Sequence, residues 1–74
     1  MERYLVYLEP AEEGGYVVSC PDFPGCVTQG ESRDEALEMI RDDIQGYIVS
    51  LEKHGQLVPP GIAKNVEEVE AVEV

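Results

Sequence analysis

One segment of this chain is long enough for a substantial helix, and its apolar stripe dictates what the remainder must build. From Ser32 to Gly55, residues Ala36, Leu37, Ile40, Ile44, Tyr47, Ile48 and Leu51 recur at the i, i+3/i+4 spacing of one helical face. Ser32-Arg33-Asp34-Glu35 has the S-x-x-E form of a capping box, in which the serine closes the N3 amide and the glutamate reaches back. Lys53 and His54 suit the carbonyl end of the macrodipole, and Gly55 can terminate the helix. About 20 residues at 1.5 Å each make a rod roughly 30 Å long. A stripe of that length needs a cover, so the shorter segments are expected to form a sheet lying against it. Gly46 sits inside the helix, where it costs about 0.5–1 kcal/mol relative to alanine. Two readings of it stay open: close backbone approach to the sheet or to a second subunit, and simple tolerance.

Tyr4-Leu5-Val6-Tyr7-Leu8, ending at Pro10, and Gly15-Tyr16-Val17-Val18-Ser19-Cys20, ending at Pro21, are runs of high β propensity bounded by breakers. Pro10 to Gly14 reads as the hairpin loop between them, with Gly14-Gly15 able to take positive φ at its close. Pro24-Gly25 suits positions i+1 and i+2 of a type II turn, which returns the chain through Cys26-Val27-Thr28-Gln29 as a third strand ended by Gly30. Leu57 to Gly61, with Pro59-Pro60, is a stiff extended connector. Val66 to Val74 interleaves valine with glutamate, and its β-branched content favours a fourth strand. The expected fold is α+β: a three-stranded antiparallel sheet, one long helix packed across it and a fourth strand, β-β-β-α-β, in a single domain over residues 1–74.

Size and charge narrow the function. Small domains bury only about 60% of their unfolded surface, and one core at this length supplies roughly 3–5 kcal/mol. Self-association into a homo-oligomer is therefore expected. Sixteen acidic against five basic residues give a net charge of −11, which opposes any approach to phosphate. Direct nucleic-acid binding and binding to an anionic membrane are disfavoured on that ground and are not expected. A basic partner is favoured, since complementary fields speed encounter; solubility alone explains the charge equally well. No N-terminal run resembles a signal peptide and no stretch approaches the roughly 18 apolar residues of a span, so a cytoplasmic location is expected. Cys20 and Cys26 are too few for a secreted disulfide framework and are expected as buried thiols packing as small hydrophobes.

Three features stand in a row: Gly15-Tyr16-Val17-Val18, then Pro21-Asp22-Phe23-Pro24-Gly25-Cys26-Val27-Thr28-Gln29-Gly30, then Ser32 with Asp34-Glu35-Ala36 opening the helix. Together they resemble the signature of the HicB-type antitoxin family, from the first strand through Pro60 and most densely between Gly15 and Ala36. The resemblance implies a partial ribonuclease-H-like fold without a working nuclease centre, assembly into dimers or tetramers, and the role of antitoxin in a type II toxin–antitoxin system. The implied partner is a small basic HicA-type toxin that cleaves RNA. Many family members also carry a C-terminal DNA-binding module. With the chain ending at Val74 and no basic residues for such a module, direct DNA binding is not expected. Short, solitary members of the family keep an alternative open, a stand-alone homo-oligomeric interaction protein without a toxin.

Could the carboxylates be catalytic? Ribonuclease-H-type cleavage gathers acidic residues around two metal ions about 3.5–4 Å apart, and Asp22, Asp34, Glu38, Asp42 and Asp43 are available. Availability says little in so acidic a chain. Asp34, Glu38 and Asp42 fall at i, i+4 and i+8, one stripe along the helix rather than the wall of a pocket. A metal-dependent nuclease is the weakest reading, and no catalytic, cofactor or metal site is expected. His54 as sole histidine makes a poor zinc signal, and no base has a reason to neighbour either cysteine. Like charges at i, i+4 cost a helix roughly 0.2–0.5 kcal/mol per pair; the stripe is either a solvated face or the place where a basic partner docks. Phe23, at a turn tip between Pro21 and Pro24, is expected to be exposed and to mark a contact. The tyrosines are expected to fill the core and a subunit interface. Candidate partner-binding residues are thus Asp22, Phe23, Asp34, Glu38 and Asp42, while the charge from Glu67 to Glu73 reads as protection of an edge strand.

Overall fold

A computed structural model describes residues 3–61 and 71–74. Along the chain run β1 (Arg3–Leu5), β2 (Tyr7–Pro10), β3 (Tyr16–Ser19), β4 (Val27–Gly30), α1 (Arg33–Lys53) and β5 (Ala71–Glu73). β2, β3 and β4 form a three-stranded antiparallel sheet in that order, and β1 pairs antiparallel with β5. The first expected strand is therefore two, because the ladder breaks at Val6: the part before it serves β5 and the part after it serves β3. Side-chain alternation runs through the break. Tyr4 and Val6 are buried and Leu8 packs against the core, while Arg3, Leu5, Tyr7 and Glu9 take the opposite face. The fourth strand is present as Ala71–Glu73; the earlier part of that expected segment, Val66 to Glu70, lies outside the described residues.

Local chemistry closes each connection. In the hairpin loop the Ala11 amide donates to the Gly15 carbonyl at 2.9 Å and the Gly14 amide to the Ala11 carbonyl at 3.1 Å. Gly14 and Gly15 have φ of 101° and 75°, conformations that a side chain resists. Two successive turns follow β3, with the Phe23 amide donating to the Cys20 carbonyl at 3.1 Å and the Cys26 amide to the Phe23 carbonyl at 3.0 Å. Gly25, after Pro24, carries the positive φ of 80° that position i+2 of a type II turn requires.

Ser32 caps α1, its Oγ accepting from the Glu35 amide at 3.1 Å. The reciprocal bond lands one residue upstream of the expected box, from the Glu31 amide to Glu35 Oε1 at 3.1 Å. At the other end the Gln56 amide donates to the Leu51 carbonyl at 2.9 Å and the Gly55 amide to the Glu52 carbonyl at 3.1 Å, a Schellman closure turned by Gly55 at φ 66°. Between these caps, Ala36, Ile40 and Ile44 are fully buried against Tyr4, Val6, Val18, Cys20, Phe23, Cys26 and Val72, with Leu37, Tyr47, Ile48 and Leu51 flanking them. The glycine that lets the sheet approach the backbone of α1 is not Gly46, where an added Cβ would meet nothing within 4 Å. It is Gly30, where a Cβ would lie 2.5 Å from the Ala36 amide nitrogen and 2.8 Å from its Cα. The last residue of β4 thus seats the first turn of α1.

Candidate protein-binding surface

Phe23 is where structure and expectation part. Its side chain is 1% exposed, so it is a core residue and not an apolar tip offered to a partner. The two successive turns bend the loop back on itself, and the bond from the Cys20 amide to the Cys26 carbonyl at 3.0 Å holds its base closed. The ring points inward, between Tyr4 at a centroid distance of 4.9 Å and 63° and Tyr47 at 5.1 Å and 53°. Both tyrosines then use their hydroxyls. Tyr47 donates to the Pro24 carbonyl at 3.1 Å, fastening the turn to α1, and Tyr4 donates to the Pro59 carbonyl at 2.7 Å, fastening the proline connector to β1. What the turn leaves outside is Pro21, Asp22, Pro24 and Gly25. Phe23 therefore positions Asp22.

Asp34, Glu38 and Asp42 are all exposed on α1, away from the buried row Ala36, Ile40 and Ile44. At 1.5 Å per residue the three carboxylates are spread over about 12 Å of a rigid rod. They form one row of carboxylates along the outer side of α1. Asp43 lies on a different side of the helix and is near enough to the loop for its charge to act on the Cys26 thiol. A second acidic concentration comes from tertiary structure alone: Glu12, Glu13, Glu31 and Glu35 line one cleft between the hairpin loop and the start of α1. The signal for it was the pair Gly15 and Gly30, since a Cβ at Gly15 would sit 2.5 Å from the Gly30 carbonyl oxygen. That contact draws the hairpin against the helix N-terminus. Among the described residues, no three His, Cys, Asp or Glu side chains gather as a metal-holding group, and no helix is long and apolar enough to cross a membrane.

Cys20 and Cys26 are free, buried thiols, as their apolar setting suggests. Burial pushes the Cys20 thiol up from 9.0 to about 11. Burial first, then Asp43, raises Cys26 as well. Neither is a ready thiolate near neutrality. The sign of the linkage follows: an acid whose pKa is raised by folding stays neutral in the folded chain while the unfolded chain ionises. Stability should hold below pH 9 and fall as pH climbs toward 11, by up to about 2–3 kcal/mol from Cys20. Urea melts across that range should show a steeper loss for the native chain than for Cys20→Ala; parallel losses would contradict the assignment.

These features define a class: a small two-layer α+β module whose distinguishing surface is a strip of carboxylates on α1. Residues 4–73 match the family described as HicB-like antitoxin of bacterial toxin–antitoxin system, and the chain belongs to that family. A UPF0150 protein of Thermoplasma acidophilum is 43% identical over 67 residues, covering 90% of this chain and 93% of that protein. Antitoxin HicB 1 of Photorhabdus laumondii is 65% identical over 40 residues, 54% of this chain and 26% of its own length. Antitoxin HicB of Escherichia coli is 42% identical over 57 residues, 77% of this chain and 41% of its own. The match thus spans nearly all of the Thermoplasma protein and less than half of the two antitoxins.

Proposed function

We propose that this chain neutralises a small, basic, RNA-cleaving toxin of the HicA type by direct contact, as the antitoxin of a type II pair in the cytoplasm. The observation that carries this reading is the exposed strip Asp34, Glu38 and Asp42 on α1, in a member of an antitoxin family with a net charge of −11. An RNA-cleaving protein must attract phosphate with basic residues. A rigid row of carboxylates competes for that same field and sets the register of docking. Asp22, held out on the braced turn, adds a second point of contact; Phe23 contributes through the turn's shape. The like-charge cost within the strip, roughly 0.2–0.5 kcal/mol per pair, is relieved when a basic surface covers it. The chain acts as a homo-oligomer and binds neither nucleic acid nor membrane.

The test is a calorimetric titration with any small basic protein encoded directly beside this gene. The native chain should bind it and rescue growth, and Glu38→Lys with Asp42→Lys should weaken binding on the order of 100-fold, about 2.7 kcal/mol. Undiminished affinity in the double variant would remove the strip from the interface. Failure to bind any such neighbour would end the antitoxin reading.

A further inference from the structure

α1 covers one face of the sheet, and it is the one element among those described that packs across the strands. The other face is built by the alternate residues. β1 and β2 present Arg3, Leu5, Tyr7 and Glu9, and the ladder places Tyr7 beside Ser19 and Val27 in one row and Glu9 beside Val17 and Gln29 in the next. Tyr7 and Val27 are each 58% exposed, large apolar side chains that flank Ser19 from the two outer strands of the three-stranded sheet. The molecule measures 39 × 28 × 16 Å, a thin two-layer body, and among the described residues no second element packs on this face.

We infer that the sheet face opposite α1 is the docking surface for a second copy of this chain, sheet against sheet about a two-fold axis. Charge singles out the occupant. A chain of net charge −11 cannot approach its own copy through the carboxylate strip or the acidic cleft. On the sheet face the described charges are Arg3 set against Glu9 and Glu73, beside the uncharged Leu5, Tyr7, Val17, Ser19, Val27 and Gln29. The order along the first strand is self-complementary: Arg3, Leu5, Tyr7, Glu9 reads positive, apolar, apolar, negative. A two-fold operator reverses it, bringing Arg3 toward Glu9 of the partner subunit and Leu5 toward Tyr7 of the partner subunit, each contact made twice, as an isologous interface demands. Sheets packed in this way lie about 10 Å apart. A standard interface buries about 800 Å² per partner, and the molecule's two longer dimensions, 39 and 28 Å, set the upper bound on what this face can offer.

This arrangement deepens the homo-oligomer part of the proposed function and does not depend on a toxin. It leaves each α1 on the outside, so both carboxylate strips stay open.

Sedimentation equilibrium of the full chain tests it. The native protein should show at least twice the 8.2 kDa chain mass. Tyr7→Lys with Val27→Lys should lower the assembly mass at least by half while the far-ultraviolet circular dichroism is unchanged, because both side chains are already exposed. Arg3→Glu and Glu9→Arg should each weaken assembly at least tenfold alone, and an equimolar mixture of the two should restore it, a result that mere loss of folding cannot produce. A monomeric native chain, or single variants that keep the native mass, would overturn the inference. Toxin titration with Tyr7→Lys/Val27→Lys should retain native affinity per chain, which separates failure of this interface from failure of the antitoxin reading.

Discussion

Phe23→Ala should leave the chain largely unfolded at 25 °C. Truncating a buried phenylalanine costs about 3–5 kcal/mol, which equals the roughly 3–5 kcal/mol that one core supplies at this size. The ring's loss also removes two aromatic contacts, to Tyr4 and Tyr47, each worth about 0.5–1.5 kcal/mol beyond area. Without the ring, the turn keeps only the Tyr47–Pro24 bond and its own backbone bonds to hold it against the core. Circular dichroism with urea titration is the measurement, run at several protein concentrations because assembly adds to apparent stability. Phe23→Leu, which keeps most of the volume, should fold with a reduced midpoint. A Phe23→Ala midpoint close to the native one would show that the ring is peripheral.

Gly30→Ala should cost about 2–3 kcal/mol, more than a methyl group in a core usually costs. The added carbon would lie 2.5 Å from the Ala36 amide nitrogen, with the neighbouring Glu35 carbonyl carbon at 2.9 Å. All of these are backbone atoms and none can rotate away, so β4 and the first turn of α1 must separate. That first turn also carries the Ser32 cap and Asp34. Gly46→Ala is the matched control: with open space around it, alanine there should gain up to about 0.5–1 kcal/mol from helix propensity. Thermal melts of the two variants should therefore move in opposite directions. A shared direction would contradict the packing at Gly30.

Both effects come from contacts that join distant parts of the chain, and that distinguishes them from what is legible locally. The limits of α1, its serine cap, the Schellman closure at Gly55, the hairpin glycines and the Pro24-Gly25 turn all rest on hydrogen bonds spanning a few residues, with side-chain chemistry that declares itself in the sequence. The apolar stripe from Ala36 to Leu51 is legible for a related reason, since helical period alone selects the buried side. Exposure of Asp34, Glu38 and Asp42 follows from that same period, so the candidate binding strip is legible in the spacing of its residues.

Phe23 could not be read in this way. A phenylalanine between two prolines at a turn has the local signature of an exposed tip, and its direction is decided by the space that Tyr4 and Tyr47 leave between β1 and α1. The same holds for the break at Val6, where pairing passes from β5 to β3 although burial alternates without interruption. It holds also for the backbone contact, which falls at Gly30 and not at Gly46 because the angle at which α1 leaves the sheet decides which glycine meets a neighbour. Sequence alone determined the elements, their caps and the charged side of the helix, because each of these depends on residues within a turn or two of one another. Tertiary structure decided which way the turn's aromatic points, which strand each part of the first segment serves and which face of the sheet α1 covers, because those depend on distances between residues that the chain brings together only by folding.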